Sequence, residues 1–453
     1  MNKIKNIGID LIPMRPGSVN GGAKIFVVSL LKNLINVSSN KRFHIYVSSY
    51  EMKSELKNYF PNKTNIIISN NKVSKGFFLI FSMLNNMFDI IETIIVKLNS
   101  LIEKIDIKKN ISHNEIIKYL QVTFLIIIII LIKVVRKFFY ISYRILNKFK
   151  NFYFLFTYDG KVDVLFLPFS TLNAIIPFKK NVRVVSIIYD LQHIEYPFFF
   201  TRKEIKNRNF MYKWISENAH HVISISKKTK SDFHQYTNYN LNNITTIPIP
   251  VSIENIDAFN FQDKLSVNNQ LISKPYLLYP ANFWPHKNHK LLFIALAMAI
   301  KRGVNLDIQL VLIGDELNKG DEYKLLTKKL GIENNVIFGS FVDEKSKYLL
   351  LKNALALIYP SLFEGFGMPL IEAIILKTPI LCSDLDVLNE IIDNFGYVFN
   401  PKKPKSIADA IFKISTDKKL TAQANKNNLL LKNKVPLIKK VVKSYQEILF
   451  TDF

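Results

Sequence analysis

The stretch that most constrains the fold of this chain is a short apolar run followed by a loop that holds two glycines, a proline and two carboxylates within a few residues. The run, residues 354–359, predicts a buried strand. Pro369 suits the first turn of a helix, where its missing N–H costs nothing, so residues 365–368 are expected to form a loop before that helix. Such a loop exposes backbone N–H groups, which favour anions and hydroxyls.

The two carboxylates of this stretch occupy different parts of the predicted motif. Glu364 lies in the loop, and Glu372, eight positions later, lies near the first turn of the helix. They could therefore contact two different parts of one elongated ligand. Retaining hydrolysis of a sugar bond needs two carboxyl groups about 5 Å apart around one bond, which a pair spread along a loop and a helix does not favour.

The length of the chain, 453 residues, predicts two domains of about 200 residues, and its hydrophobic fraction of 49% is enough to fill both cores. The single cysteine, Cys382, excludes an internal disulfide framework and fits a reducing compartment. The N-terminus begins with lysines, but Asp10 and Arg15 interrupt its apolar part, which favours a first strand over a signal peptide.

The net charge of +25 suggests an anionic partner, such as a membrane surface, a nucleic acid or a phosphorylated substrate. The chain is rich in Lys, Asn and Ile throughout, so the placement of the charges is more informative than their sum. Residues 116–158 contain no acidic side chain. Their basic residues are Lys118, Lys133, Arg136, Lys137, Arg144, Lys148 and Lys150.

The segment 75–156 interrupts a regular pattern of strands and helices and is predicted to be a helical insertion in the first domain. Its uncharged window, residues 119–132, would reach only about 20 Å as a helix, against about 30 Å for a bilayer core, so a full span is not expected. Burial against the protein and attachment to a membrane surface are the alternatives. The basic, aromatic flank at 133–156 favours attachment to anionic lipid.

Elsewhere short apolar runs alternate with helical patterns, which predicts two largely parallel sheets covered by helices. The predicted strands of the first half are residues 6–12, 43–48, 66–69, 162–167, 182–188 and 221–225, and those of the second half are 276–279, 308–313, 336–338, 354–359 and 380–381. The prolines at 247–250 and the polar stretch 254–274 mark the change between them. The predicted division is an N-terminal domain at 1–250, a linker at 251–274, a C-terminal domain at 275–435 and a last helix at 436–453 that can pack back on the N-terminal domain.

Polar residues follow two predicted strands of the first domain, and the carboxyl edge of a parallel sheet is where ligands bind. Asp190 and His193 come after the strand at 182–188, although a loop histidine that satisfies backbone groups is the simpler explanation of His193. Ser224 and Ser226 could likewise end a strand and cap the next helix.

Glycines and a lysine occupy comparable places after other strands. Gly21 and Gly22 open a helix, a geometry that suits phosphate, although an ordinary tight turn explains two adjacent glycines and is favoured on the residues alone. Lys287 would share a sheet edge with the Glu364 loop, or it could be a solvated lysine at a helix start.

In combination these residues resemble the retaining family 4 glycosyltransferases of the GT-B fold, also called glycosyl transferases group 1. Residues 364–372, EGFGMPLIE, resemble the family's signature of a glutamate, seven residues and a glutamate, and residues 283–289, FWPHKNH, resemble its lysine segment. The motifs at 21–22, 190–197, 224–226 and 313–315 follow in the family's order. The resemblance covers roughly residues 5–70 and 162–450, and it implies two Rossmann-like, doubly wound domains that face each other across a cleft.

The resemblance implies a nucleotide-sugar donor held by the C-terminal domain and a glycan or lipid-linked acceptor held mainly by the N-terminal one. By similarity, Glu372 accepts from the ribose hydroxyls, and Glu364 orients the transferred sugar and steadies the positive charge at its reacting carbon. Lys287 would neutralise the diphosphate, and Asp190 or His193 is the candidate that polarises the acceptor hydroxyl. The remaining donor-binding candidates are glycines and loop amides: Gly21, Gly22, Gly314, Gly365, Phe366, Gly367 and Met368.

The chain departs from the family's pattern in three places. Ala281 and Asn282 stand where many members have an arginine, which leaves neutralisation of the diphosphate to Lys287. Tyr189 stands where many have a histidine, so His193 is a candidate replacement. The segment 75–156 has no counterpart in the family's pattern.

No essential metal and no other cofactor are expected. Asp384 and Asp386 resemble the metal-binding pair of the other large glycosyltransferase fold, but they follow a strand in a different context and are interpreted as a loop.

The leading hypothesis is a retaining hexosyltransferase of surface polysaccharide synthesis, lipopolysaccharide or capsule. It would be cytoplasmic and peripherally bound to the inner face of the cytoplasmic membrane. The alternative is a non-catalytic GT-B protein that binds a nucleotide sugar or scaffolds the same pathway. A basic membrane or nucleic-acid adaptor leaves the glycine loop and the glutamates unexplained, and the sequence has no recognisable nucleic-acid motif, so no nucleic acid is expected as a partner.

Overall fold

The computed structural model describes residues 6–15, 21–61, 63–70, 162–170, 182–251, 266–268, 270–272, 274–302, 308–393, 396–416 and 435–451. The predicted insertion at 75–156 and most of the predicted linker lie outside the described residues. Within the described part, the chain forms two parallel sheets covered by helices, which confirms the predicted class of fold. The predicted domain boundaries stay predictions.

The first sheet has, among the described residues, seven parallel strands in the order β3-β2-β1-β4-β5-β6-β7. Val164, Leu165 and Phe166 on β4 alternate between the two faces of the sheet and are all buried, as expected where helices cover both faces of a parallel sheet. The strands are β1 Asn6–Asp10, β2 Arg42–Val47, β3 Ile66–Asn70, β4 Val164–Leu167, β5 Arg183–Ile188, β6 His221–Ser224 and β7 Ile244–Thr246.

The helices around the first sheet begin at residues suited to capping. Thr201 and Glu204 form a capping box at the start of α4, and the Ser226 hydroxyl accepts from the Thr229 N–H at the start of α5, which confirms the capping interpretation of Ser226. The helices are α1 Gly21–Asn36, α2 Tyr50–Tyr59, α3 Gln192–Glu195, α4 Arg202–Asn218 and α5 Lys227–Thr237. Short 3-10 turns follow at Pro197–Phe199 and Leu241–Asn243.

The second sheet has, in the described ranges, six parallel strands in the order β12-β11-β10-β13-β14-β15, and a two-stranded hairpin of β8 and β9 precedes it. The strands are β8 Ser266–Val267, β9 Gln270–Leu271, β10 Tyr276–Pro280, β11 Gln309–Ile313, β12 Val336–Phe338, β13 Ala356–Tyr359, β14 Ile380–Ser383 and β15 Tyr397–Phe399. The helices are α6 His289–Lys301, α7 Gly320–Leu330, α8 Glu344–Asn353, α9 Met368–Leu376, α10 Asp386–Ile392, α11 Pro404–Thr416 and α12 Ile438–Phe450, with 3-10 turns at Pro285–Lys287 and Glu333–Asn335.

The last helix, α12, follows the second sheet in the chain but packs on the first. Val441, Val442 and Tyr445 are buried in the same apolar cluster as residues of α1. The Tyr445 ring meets the Phe26 ring edge-on, with the centroids 6.4 Å apart. None of the described helices is long and apolar enough to cross a bilayer.

Each sheet changes its direction of winding between two neighbouring strands, β1 and β4 in the first sheet and β10 and β13 in the second. Ligands of doubly wound folds bind beyond the carboxyl ends of the strands at such points. The loop after β13 meets the loop after β5, because the Tyr196 hydroxyl donates to the Leu362 carbonyl at 3.1 Å. The carboxyl edges of the two sheets therefore face each other and enclose the candidate site.

Candidate active site

The centre of the site is an ion pair between the loop after β10 and the loop after β13. Lys287 Nζ lies 2.5 Å from Glu364 Oε1, and the two side chains are 14% and 11% exposed. The same ammonium donates to the Tyr359 hydroxyl at 3.0 Å. The fold therefore brings together the lysine and the glutamate that the sequence predicts at one sheet edge. Both side chains are largely buried.

Hydrogen bonds to backbone carbonyls hold these two loops in place. The Asn288 side-chain amide donates to the Pro360 carbonyl at 3.0 Å, and the Leu362 N–H donates to the His286 carbonyl at 2.7 Å. Asn288 itself adopts a left-handed conformation, with φ at 63°, which asparagine tolerates better than most residues. Lys287 is thus positioned by a turn that ends against the loop carrying Glu364.

The electrostatics of the pair favour the ionised carboxylate. Burial raises the pKa of Glu364, but the Lys287 ammonium and hydrogen bonds from Lys287 and Ser361 outweigh it and bring the pKa below its ordinary value. Burial and the neighbouring Lys287 charge lower the pKa of His286 to about 4, so that ring is neutral at neutral pH. Lys287 and Glu364 are therefore the charged groups at this point of the site.

The glycines of the loop permit close approach of the two halves of the molecule. A Cβ on Gly365 would lie 2.2 Å from the Tyr189 carbonyl oxygen, far inside normal contact. Gly367, at φ 147°, is in a conformation that favours glycine, and a Cβ there would lie 2.8 Å from Leu388. Phe366 between them is buried in the core of the first sheet, so this loop is an interdomain contact as well as a candidate donor loop.

The glycine pair of the first domain lies against the same motif. Gly21 is the first residue of α1. A Cβ on Gly22 would be 3.1 Å from the sulfur of Met368, which begins α9. Gly314, at φ 140°, brings the loop after β11 against the Ala281 backbone, where a Cβ would lie 2.8 Å from the carbonyl. Gly22 and Met368 thus meet across the cleft, whereas Gly314 supports the loop that leads to Lys287.

Glu372 occupies a second, separate carboxylate position on α9. Its side chain is 4% exposed, and its Oε1 lies 2.7 Å from Lys347 Nζ on α8. Burial raises the pKa of Glu372, and the Lys347 charge only partly opposes this. The two glutamates therefore have different lysine partners and opposite pKa shifts, as two groups with different tasks would.

Asp190 and His193 follow β5 on the opposite wall. Asp190 is half-buried and pairs with Arg208 at 3.2 Å. A Cβ on Gly365 would lie 3.1 Å from Asp190 Cβ, which places this carboxylate next to the loop that holds Glu364. His193 is only 1% exposed, between the rings of Tyr212 and Phe200, and burial followed by the Arg208 charge lowers its pKa to about 4. Of the two, Asp190 has the more accessible position.

Sequence reasoning missed three residues that the fold brings into the site. Arg208 pairs with Asp190, Lys347 pairs with Glu372, and Tyr359 accepts from Lys287. Tyr359 had a detectable signal, since it ends the strand before the glycine loop. Arg208 and Lys347 lie on helices among many other basic residues, and no spacing distinguishes them in the sequence. Among the residues described, no cluster of three or more His, Cys, Asp or Glu side chains is arranged to hold a metal ion.

Part of this chain matches a known protein family. Residues 262–429 match the family model described as "Glycosyl transferases group 1". This region includes Lys287, Glu364 and Glu372.

Two curated relatives match a similar length of the chain. The O-antigen chain mannosyltransferase RfbU of Salmonella typhimurium is 26% identical over 53% of this chain and 63% of its own length. The O-antigen chain mannosyltransferase B of Escherichia coli is 23% identical over 52% of this chain and 62% of its own length. The chain thus spans somewhat less than two thirds of the length of each of these two relatives.

A solved structure extends the similarity to the whole fold. The Anabaena protein Alr3699/HepE, crystallised with UDP and glucose, superposes with a TM-score of 0.62 over 98% of this chain and 99% of its own, at 14% identity. At that identity the likeness establishes the fold alone. The chain therefore has the GT-B fold, and its residues 262–429 are similar to the glycosyl transferases group 1 family.

Proposed function

We propose that this protein is a retaining family 4 hexosyltransferase that moves a sugar from a nucleotide-sugar donor to a glycan or lipid-linked acceptor in surface polysaccharide synthesis. The observation that carries the proposal is the Lys287–Glu364 pair, enclosed where the two sheet edges meet. The names of the relatives, O-antigen chain mannosyltransferases, support a polysaccharide acceptor and make mannose the first sugar to test.

The pair supplies the charges that departure of a nucleoside diphosphate requires. As the bond between the sugar carbon and the phosphate oxygen breaks, negative charge grows on the diphosphate and positive charge grows on the sugar ring. Lys287 would stabilise the diphosphate, and Glu364 the sugar carbon. A diphosphate that enters would replace Glu364 as the partner of Lys287, and Glu364 would then face the sugar, so that each buried charge has a new partner.

The other candidate residues fit the two ends of such a donor. Glu372 would accept from the ribose hydroxyls. The amides at Gly367 and Met368, at the start of α9, together with the Gly21–Gly22 end of α1, would contribute N–H groups to the diphosphate. With Lys287 and these amides as the neutralising groups, our proposal needs no essential metal.

On the acceptor side, Asp190 is the candidate that orients the incoming hydroxyl. In the retaining reaction of this family, the hydroxyl oxygen attacks the sugar carbon from the face that the phosphate leaves. The new C–O bond forms as the C–O bond to phosphate breaks, and the hydroxyl proton passes to the departing phosphate oxygen. Asp190 lies beside Gly365 and is held by Arg208, which suits it to positioning a hydroxyl at that face.

The test is turnover by variants that keep the shape of each side chain. Glu364→Gln and Lys287→Met should each lower kcat by roughly 100- to 1000-fold, the usual effect of removing one electrostatic contact to a developing charge. The assay is release of nucleoside diphosphate from candidate nucleotide sugars with a glycan acceptor, and circular dichroism checks that each variant is folded.

The chain offers a matched control for this pair. Lys290 and Glu322 form an ion pair of 2.6 Å close to Lys287, but they are 58% and 42% exposed. Lys290→Met and Glu322→Gln should leave turnover unchanged, because exposed pairs contribute little. Wild-type turnover in both Glu364→Gln and Lys287→Met would refute the proposed roles.

The alternative is a GT-B protein that binds a nucleotide sugar or scaffolds the same pathway without transferring the sugar. It predicts nucleotide binding with no release of diphosphate by the wild type with any donor and acceptor. The enclosed, ionised Lys287–Glu364 pair favours the enzyme, because a pure binding site has no need of a carboxylate at the reacting carbon.

We further propose a peripheral site of action on the inner face of the cytoplasmic membrane, which rests on the basic, apolar segment 75–156 outside the described residues. The measurement is liposome flotation with anionic and with neutral vesicles. Binding to the anionic vesicles alone is expected, and failure to float with either kind would remove the membrane as a partner.

A further inference from the structure

The buried carboxylate of Glu372 has a lysine partner that no family motif predicts. Lys347 reaches it from α8, and the Nζ–Oε1 distance is 2.7 Å. The Glu372 side chain is 4% exposed and the Lys347 side chain 21% exposed, so Lys347 is the more accessible partner of the pair. Two other lysines of α8 point elsewhere: Lys352 donates to the Leu376 carbonyl at 3.0 Å, and Lys345 is exposed.

The charges around Glu372 make its ionisation depend on this contact. Glu344 on α8 adds a like charge that disfavours the carboxylate, and the phenols of Tyr348 and Tyr359 face it as neutral groups, since burial raises the pKa of both. Among the described residues that shift the pKa of Glu372, Lys347 is the one that lowers it and so favours the carboxylate.

We propose that Lys347 is a positioning residue for the nucleoside end of the donor. It holds Glu372 as an oriented carboxylate, so that the glutamate can accept hydrogen bonds from both hydroxyls of a ribose. This role of Lys347 concerns the proposed donor site and rests on the proposed function. A carboxylate has acceptor sites on two oxygens, whereas a protonated acid must use one oxygen as a donor and loses part of that capacity.

The same contact places Lys347 at the edge of the proposed nucleoside site. Its ammonium occupies one acceptor site on Oε1 of Glu372, which leaves the second site on that oxygen and both sites on Oε2 for the ribose hydroxyls. Replacement of Lys347 should therefore affect binding of the nucleotide, while the steps that follow at Glu364 are unaffected. We expect a change in the KM for the donor with little change in kcat.

The test is binding of UDP, GDP and ADP by calorimetry between pH 6 and pH 9, with the tightest binder carried forward. Lys347→Met should weaken binding of that nucleotide about tenfold at pH 7, which corresponds to the loss of a hydrogen bond to a charged group. Loss of the ammonium raises the pKa of Glu372 further, so the loss of affinity should be largest at the low end of this pH range and should shrink as the pH rises. Lys347→Arg should restore most of the affinity at pH 7.

Two further variants separate positioning from simple packing. Glu372→Gln should weaken binding to a similar degree at every pH, and the double variant Lys347→Met with Glu372→Gln should be no weaker than Glu372→Gln alone. Lys345→Met, on the same helix and exposed, is the matched control and should bind like the wild type.

The outcomes distinguish this inference from the proposed function. Suppose that the wild type binds a nucleotide. If Lys347→Met binds it equally well at pH 7, or if its affinity is lower by the same factor at every pH, the role of Lys347 is refuted and the proposed function stands. If the wild type binds none of the three nucleotides, both are refuted. Lys347→Gln serves as a second variant should Lys347→Met fail to fold.

Discussion

Replacing Gly365 by alanine should separate the two halves of the active site with the smallest possible chemical change. The new Cβ would lie 2.2 Å from the Tyr189 carbonyl oxygen and 3.1 Å from Asp190 Cβ. Both neighbours belong to the opposite domain, and the nearer one is backbone, which has no rotamer to adopt. The loop or the domain must therefore move.

The size of the movement sets the size of the effect. Normal contact between a carbon and its neighbour needs somewhat more than 3 Å, so the loop must withdraw by about 1 Å. Overpacking of this kind costs about 1–3 kcal/mol of stability. Because Glu364 is the adjacent residue, a displacement of about 1 Å should lower kcat by roughly 100-fold.

The assay is turnover with the preferred donor, with thermal unfolding recorded on the same samples. Gly22→Ala is the matched control, because its Cβ would meet the flexible Met368 side chain at 3.1 Å instead of backbone. Gly22→Ala should lose less turnover and less thermal stability than Gly365→Ala. Wild-type turnover in Gly365→Ala, or a larger loss in Gly22→Ala, would show that closeness of the two loops is not needed for catalysis.

Three further predictions concern the contacts that hold the site together. Tyr196→Phe removes the hydrogen bond to the Leu362 carbonyl and should lower the free energy of unfolding by about 1 kcal/mol in a denaturant titration, with Tyr50→Phe, exposed on α2, as the unaffected control. Glu390→Gln should also lower it by about 1 kcal/mol, because this carboxylate accepts the Lys227 and Lys228 N–H groups at the start of α5; an unchanged midpoint would contradict this. Since the Glu364 pKa is depressed, its stabilising charge is lost as the pH falls through the folded-state pKa, below the ordinary value of 4.5. The wild type should therefore lose stability more steeply than Glu364→Gln over that acid range, and parallel stability curves would refute the pairing.

Much of the fold could be predicted because long parallel strands are nearly continuous apolar runs. The strands that became β1, β4, β5, β11 and β13 were all found within two residues of their ends. Of the four edge strands, β3 and β12 were predicted, whereas β7 and β15 were missed. The sequence therefore predicted the interior of both sheets better than their edges.

The site was predictable where chemistry required an unusual residue pattern, and less so where distant chain segments meet. The Glu364 loop and Lys287 were placed at one edge because each follows a strand, although the sequence could not predict their direct contact. Gly365 was expected to bind the donor, and the structure gives it a steric task against Tyr189 as well. The partners Lys347 and Arg208 depend on the packing of helices against the sheet, which a single sequence does not encode as a local pattern.

The central claim is that Lys287 and Glu364 form the donor half of a transferase site. The most direct measurement is a thermal-shift titration of UDP-, GDP- and ADP-sugars with the wild type and Lys287→Met. A sugar nucleotide that fits the site should stabilise the wild type by about 2.7 kcal/mol at a concentration of 100 times its Kd and should leave Lys287→Met almost unshifted at that concentration. Equal stabilisation of both proteins, or of neither by any of the donors, would contradict the account.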